Sequence, residues 1–316
     1  MRVQLLGVPL SLGAGVYGAD FGYGVVRSSR LIDQLQRLGL HIEDEGLLAV
    51  PPTPRNPGDP KARYLAEIAD TCDRLAAWVE ETLADGHFPL VVGGDHSISI
   101  GTVAGVAAFA RRKRKRIGLI WIDAHGDMNT PETTPTGNVH GMPLATTVGM
   151  GDARLTGLRG FSPKVRGSNA ALLGVRDLDP GEIDNIRASK VATITMRDID
   201  EHGMAACVRE AIRVASDGTL GFHVSLDLDA LDPAIAPGVG TPVIGGLSYR
   251  EAHLAMELVA DSGKLLSLDV VEVNPILDMK GATADAATKL IASGLGKNIL
   301  PPELSPMRRP AKKGRR

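Results

Sequence analysis

The chain has 316 residues, of which 43% are hydrophobic and 23% charged, and its formal charge is −2 at pH 7. That is room for one large α/β domain or two modest ones with a sizeable core, and an ordinary composition for a water-soluble globular protein. Two cysteines far apart, Cys72 and Cys207, exclude a disulfide framework, and no apolar run approaches transmembrane length.

Residues 3–7 read as a first strand, with an Arg, a Gly and a Pro in the apolar start that argue against a secretion signal. The reducing cytoplasm is therefore the expected location. Gly13-x-Gly15-x-x-Gly18 follows this strand and matches a dinucleotide-binding fingerprint, and an acidic cluster, Glu43 to Glu45, follows the second strand. Gly22 and Gly24 come next, however, so the helix starts too late for Gly18 to serve a pyrophosphate, and a lone GxGxxG is weak evidence. A helix is predicted over 25–38, a long surface loop over the Pro-rich 51–60, and an amphipathic helix where Leu65, Ile68, Cys72, Leu75 and Val79 step by three and four.

Short apolar runs then alternate with helical patterns. The strands are read at 88–92, 117–122, 171–175, 222–228 and 265–273, and the helices at 100–109, 204–214, 249–259 and 283–291. The runs are continuous rather than alternating, as in parallel strands covered on both faces. Strand followed by helix, repeated, means an α/β fold with a mostly parallel sheet. Residues 151–170 read as loop. With aromatics at 3%, the core must be built from Leu, Val, Ile and Ala. Residues 1–300 are expected to form a single domain and 301–316 a separable basic tail. The basic runs 111–116 and 308–316 read as a solvated helix end and that tail. No aromatic residues interleave them for base stacking, which argues against nucleic-acid binding.

In open parallel sheets, ligands bind beyond the carboxyl ends of the strands. Four apolar runs here end in acids or histidines: Asp95-His96, Asp123-Ala124-His125-Gly126-Asp127, Asp227-Leu228-Asp229 and Glu272. If the chain stays extended, Asp123, His125 and Asp127 share one face, and so do Asp227 and Asp229. Carboxylates gathered after runs that are apolar on both faces would repel strongly, and a cation resolves the conflict. With His96 the set is four Asp and two His without Cys, too many for one tetrahedral ion but suited to two ions. That chemistry favours Mn²⁺, Fe²⁺ or Mg²⁺ over structural Zn²⁺. Two such ions can ionise a water held between them, which makes a hydrolase site.

The loop after this strand brings Asn129, Thr136, Asn138 and His140 over the ions. Its amides and hydroxyls suit a substrate carboxylate as well as they suit turn chemistry. His140 reads either as a proton carrier or as a loop histidine. Glu272 needs a partner on its apolar strand, either a cationic substrate or a nearby Arg. The remaining histidines, His41, His87, His202, His223 and His253, stand alone and are given no catalytic part.

GGDHS, WIDAHGDMNTPETTPTGNVHGMP, GVRDLDPGE, SLDLDALDP, GTPVIGGLSYRE and VEVNP, in this order, resemble the arginases of the ureohydrolase family over nearly the whole chain. The resemblance implies a three-layer αβα fold with a central eight-stranded parallel sheet. It implies two Mn²⁺ per subunit: His96 and Asp127 on one ion, His125 and Asp229 on the other, Asp123 and Asp227 on both. It also implies a proton-shuttling His140 and Glu272 as guanidinium partner. By the same likeness Asn129, Thr136 and Asn138 take the α-carboxylate, Asp179 the α-amino group with Glu182 as a water-linked helper, and Thr241 stands near Glu272. Thr136 replaces a common Ser and Tyr23-Gly24 a usual Pro, which puts the first helix boundary in question.

The activity implied is hydrolysis of L-arginine to L-ornithine and urea by a metal-bridging hydroxide, with Asp229 as a hydrogen-bond partner of the hydroxide. The family's habit implies a homotrimer or hexamer. The nearest alternative is an agmatinase or another guanidino-acid hydrolase with the same metals. Agmatine lacks the carboxylate that Asn129, Thr136 and Asn138 would hold, so their joint presence favours arginase. A deacetylase-like hydrolase would use one Zn²⁺ and lack the second ligand set.

Overall fold

The computed structural model describes residues 1–300, so the predicted basic tail lies outside the described residues. In chain order the strands are β1 (Arg2–Gly7), β2 (His41–Leu47), β3 (Gly58–Asp59), β4 (Ala62–Arg63), β5 (Phe88–Val92), β6 (Gly118–Ile122), β7 (Ala170–Val175), β8 (Ala192–Thr195), β9 (Phe222–Asp227) and β10 (Leu265–Val271). Eight of them form one sheet in the order β2-β1-β5-β10-β9-β6-β7-β8, and every pairing in it is parallel. The small hairpin β3–β4 lies in the Pro-rich loop region.

Every residue of β5, β6, β7 and β9 is buried; β5, β6 and β7 are unbroken apolar runs, whereas β9 alternates apolar residues with His223, Ser225 and Asp227 and buries those too. Their side chains alternate between two cores. Leu90, Ile120, Ile122 and Val224 face one, while Val91, Leu119 and Trp121 face the other. The first core is closed by the helices α1 (Gly22–Ser28), α2 (Leu31–Arg37), α5 (Met204–Ser216), α6 (Tyr249–Asp261) and α7 (Ala282–Gly294). The second is closed by α3 (Leu65–Ala84) and α4 (Ser99–Arg112). This is the expected three-layer αβα arrangement. Gly101 and Gly105 let α4 lie close on α3, since a Cβ at either would stand 2.7 and 2.5 Å from the carbonyl oxygens of Cys72 and Ala76. At the start of α6 the Ser248 Oγ accepts from Glu251 N and the Glu251 carboxylate accepts from Ser248 N at 2.8 Å. Such a capping box is worth about 1 kcal/mol.

The structure departs from the sequence reading in several places. The expected helix over 25–38 is two helices, broken where Arg30 takes a left-handed φ of 63°. The acidic cluster Glu43–Glu45 lies within β2 rather than after it, and β2 and β8 were not legible as strands. Both are edges of the sheet, and β2 is exposed along most of its length and carries charge instead of an apolar run. The predicted end strand 265–273 stops at Val271, because Glu272 turns to φ 62°. The basic run 111–116 is exposed at the carboxyl end of α4, where cations meet the negative end of the helix dipole. Among the described residues no helix is long and apolar enough to cross a membrane.

Candidate metal centre and the cavity above it

Four neighbouring strands in the middle of the sheet, β5, β10, β9 and β6, end at the same edge and deliver His96, Glu272, Asp227 with Asp229, and Asp123 with His125 and Asp127. The convergence does not come from an extended chain, as the sequence reading assumed. After β6 the Asp123 Oδ1 accepts from His125 N at 2.7 Å, and after β9 the Asp227 Oδ1 accepts from Asp229 N at 2.7 Å. At both strand ends an aspartate thus folds the chain back through its own side chain. Asp127 completes the turn at φ 50°. Like Glu272 it holds a backbone conformation that non-glycine residues rarely adopt, at a cost of roughly 1–3 kcal/mol.

Two donor clusters result, with Asp123 in both. Around His96 Nδ1 stand Asp123 Oδ2, Asp127 Oδ2 and Asp227 Oδ2, each at 3.0 Å. Around His125 Nδ1 stand Asp229 Oδ2 at 3.0 Å and Asp123 Oδ1 at 3.5 Å. Within His96–Asp123–Asp127 and within Asp123–His125–Asp229 the donor atoms are close enough to share an ion. His96 Nδ1 and Asp127 Oδ2 are fully buried and make no hydrogen bond. Such atoms are costly to desolvate unless something binds them.

The electrostatics point the same way. Burial, helped by the charge of Asp123, pushes the Asp127 carboxyl up to about 7. Burial and the charges of Asp229 and Asp123 hold Asp227 well above the carboxylate range. Burial also raises Asp229, again with Asp123 adding to it. Burial opposes charge on His125, yet Asp123 and Asp229 drive it up to about 12. Asp127, Asp227, Asp229 and the two imidazoles are thus shifted toward their protonated forms, while the Asp123 carboxyl, against its burial, is held well below the usual range by His125 and His96, and divalent cations would replace those protons. The donor set fits the ion pair that the sequence implied.

Behind His96 lies a buried polar chain that sequence reasoning missed. Ser225 Oγ donates to Asp269 Oδ1 at 2.6 Å, and Asp269 Oδ2 meets His223 Nε2 at 3.1 Å. His223 Nδ1 in turn meets Ser267 Oγ at 2.8 Å. Because the Ser225 proton goes to Asp269, Ser225 Oγ must accept from His96 Nε2, 2.8 Å away. That bond fixes the tautomer and leaves the His96 Nδ1 lone pair for an ion. His223 was read as solitary, and it is the far end of this chain. Ser225 and Asp269 precede Asp227 and Glu272 on the same strands, at even and odd spacing, and nothing in their types marks them. Arg176, also missed, donates to the carbonyls of Asp229 at 2.7 Å and Val243 at 2.7 Å, clasping the turn that carries Asp229.

Above the clusters one cavity is lined by His96, His125, Asp127, Asp227 and Asp229 at its floor. Asn129, Thr136, Asn138, His140, Asp179, Glu182 and Thr241 form its walls. The structure thus brings the predicted substrate-side residues to the donor clusters. Asn129 Nδ2 donates to Asp179 Oδ2 at 2.8 Å, Thr136 Oγ1 accepts from Asn138 N at 3.1 Å, and Asn138 Oδ1 accepts from Arg63 Nη1 at 3.2 Å. Both Glu182 oxygens are engaged, by Met128 N at 2.9 Å and Asp179 N at 2.8 Å. Thr241 Oγ1 donates to Asp229 Oδ2 at 3.0 Å.

Among the described residues Glu272 is paired with no arginine. Its Oε1 accepts from His96 N at 2.9 Å and lies 3.1 Å from His140 Nδ1. Burial opposes charge on His140, but the Glu272 contact carries the imidazole up to about 9. The glycine fingerprint packs on this site: a Cβ on Gly13 would meet Asp95 Oδ1 at 2.6 Å. One on Gly18, whose φ is 126°, would meet Asn274 Oδ1 at 2.1 Å.

Two overlapping cages of carboxylate and imidazole under a polar cavity, at the carboxyl edge of a parallel sheet, define a two-metal hydrolase. The family model described as "Arginase family" matches residues 1–296. Arginase from Bacillus caldovelox is 46% identical over 300 residues, 94% of this chain and 99% of that one. Its native structure at pH 5.6 superposes with a TM-score of 0.90, covering 95% of this chain and 99% of that chain. Entamoeba histolytica arginase in complex with L-ornithine is 31% identical, with a TM-score of 0.86 over 94% of this chain and 99% of that chain. The chain belongs to the arginase family.

Proposed function

We propose that this protein hydrolyses L-arginine to L-ornithine and urea, using two Mn²⁺ held by His96, Asp123, His125, Asp127, Asp227 and Asp229. The observation that carries the reading is the sharing of Asp123, through separate oxygens, between two buried donor clusters at the floor of a single polar cavity. Its all-oxygen-and-nitrogen chemistry suits Mn²⁺. The ions, when bound, supply an ionised water as nucleophile near neutral pH.

The chain's own groups then divide the remaining work. Glu272 holds the guanidinium head, which stays protonated at any ordinary pH. Asp229, steadied by Thr241, orients the nucleophile by hydrogen bonding. His140 carries a proton at Nδ1 beside Glu272 and passes it toward the leaving ornithine amine. Thr136 and Asn138 grip the α-carboxylate. Asn129, joined to Asp179, completes that wall and aims Asp179 at the α-amino group. Glu182 spends its oxygens on backbone N–H groups and acts by fixing Asp179. Support for this substrate also comes from the Entamoeba relative, solved with L-ornithine.

The test offers Mn²⁺-loaded protein L-arginine or agmatine and measures urea. Preference for L-arginine is expected, with a rate that rises from about pH 7 to 9.5 as the water ionises. Preference for agmatine overturns the substrate, and a rate flat or falling with pH overturns the nucleophile. The proposal includes residues 1–300 as one catalytic domain, a cytoplasmic setting, and a homotrimer or hexamer, which light scattering on the purified protein would distinguish from a monomer.

A further inference from the structure

We propose that Gly240 determines specificity: its missing side chain keeps open the space in which a planar cationic head reaches the free oxygen of Glu272. The inference rests on the reading of Glu272 as guanidinium partner. Both contacts to the Glu272 carboxylate fall on Oε1, leaving Oε2 without a hydrogen bond among the described residues. A Cβ built on Gly240 would stand 3.7 Å from that Oε2 and 3.7 Å from the Cβ of Val16, with nothing nearer. Gly240 thus lies between the free oxygen and the opposing apolar wall.

Neither of the usual reasons for a glycine applies here. The Gly240 backbone is not left-handed, so an L side chain fits its φ. Nor does packing demand it, because 3.7 Å is ordinary contact. By contrast, Gly22 leaves no room, with a Cβ only 2.7 Å from Val273 O. What a Gly240 side chain would take away is the approach to Oε2. A carboxylate grips a guanidinium through two parallel hydrogen bonds in a common plane, and a methyl beside one oxygen blocks part of that plane and keeps water from it.

The backbone cannot swing the methyl aside. Gly238 N donates to Thr283 Oγ1 at 2.7 Å, and Gly238 O accepts from Asn274 N at 2.8 Å. On the other side Thr241 is tied to Asp229 at 3.0 Å. Segment 238–241 is therefore pinned at both ends to residues that flank Glu272 and the donor clusters.

The experiment compares wild type, Gly240→Ala, Gly240→Val and Glu272→Gln, all loaded with Mn²⁺. It measures KM and kcat for L-arginine, competitive inhibition by millimolar guanidinium ion, bound metal and Tm. Gly240→Ala should raise KM about tenfold and Gly240→Val further, with guanidinium inhibition weakening in step and metal content and Tm unchanged. Should Glu272→Gln abolish guanidinium inhibition while both Gly240 variants are inhibited like wild type, the proposal is overturned and the Glu272 reading stands. Should Glu272→Gln leave that inhibition unchanged, the Glu272 reading fails and the proposal falls with it.

Discussion

The imidazole of His96 lies flat against the indole of Trp121, with ring centroids 4.1 Å apart and planes 10° from parallel. The same indole donates from Nε1 to Asp123 Oδ2 at 3.0 Å. One buried side chain therefore orients two of the ion-binding groups, one by stacking and one by hydrogen bonding. Trp121→Phe keeps a flat ring and loses the donor. Mn²⁺ affinity measured by calorimetry should fall about tenfold, and an unchanged affinity would show that Asp123 needs no such support.

Ser225 holds His96 from the other side. In Ser225→Ala the His96 Nε2–H loses its acceptor and Asp269 loses a donor, so the imidazole is free to rotate or to take the wrong tautomer. Metal affinity should drop roughly 10- to 100-fold while the far-ultraviolet circular dichroism stays that of the wild type. A Ser225→Ala protein that binds Mn²⁺ within a factor of about two of wild type would refute the orienting role assigned here.

Asn138 offers a sharper test of substrate choice. Arg63 occupies its Oδ1, leaving the amide N–H groups for a carboxylate. Losing a hydrogen bond to a charged group costs about 1.5–3 kcal/mol. Asn138→Ala should then lower kcat/KM for L-arginine by about 10- to 150-fold while hardly changing any slow turnover of agmatine. Parallel losses on both substrates would mean that Asn138 shapes the loop rather than gripping the carboxylate.

Lys164 supplies a pH prediction away from the site. It is 7% exposed and donates from Nζ to the carbonyls of Thr156, at 2.7 Å, and Phe161, without a carboxylate partner among the described residues. Burial lowers its pKa to about 8. Between that value and the ordinary lysine range the unfolded chain binds a proton that the folded chain does not. Stability from this group therefore rises with pH across that window, and its penalty is complete below about 8. The Tm of wild type minus that of Lys164→Met should increase from about pH 7 to 10. A difference that stays level or shrinks would contradict the buried charge.

Legibility followed burial. Of the strands covered on both faces, β5, β6 and β7 announced themselves as unbroken apolar runs and β9 as apolar residues alternating with polar ones, and the candidate donors after β5, β6 and β9 stood out by their chemistry. The edge strands β2 and β8 did not, because β2 is largely exposed and charged and β8 is only Ala192–Thr195, half of it threonine. The structure brings the expected donor residues together, by a path other than the extended one assumed. Extended alternation and a side-chain-closed turn both place Asp123, His125 and Asp127 together, and only the coordinates distinguish them. Ser225, Asp269 and His223 were invisible because their roles depend on which strand lies beside which. β9 and β10 are adjacent only in space, with Ser225 in register with Asp269. Glu272 needed a partner, as its apolar strand implied, and the one found was His140.

Charge counting at the cavity floor has one more implication. Asp123, Asp127, Asp227 and Asp229 together carry four negative charges when ionised, which two dications cancel. Glu272 adds a fifth, which the protonated His140 beside it offsets. A half-filled floor would have to keep protons on its aspartates or leave uncompensated charge away from water. Loading should therefore behave as a concerted event, steep in metal concentration and releasing protons as it proceeds.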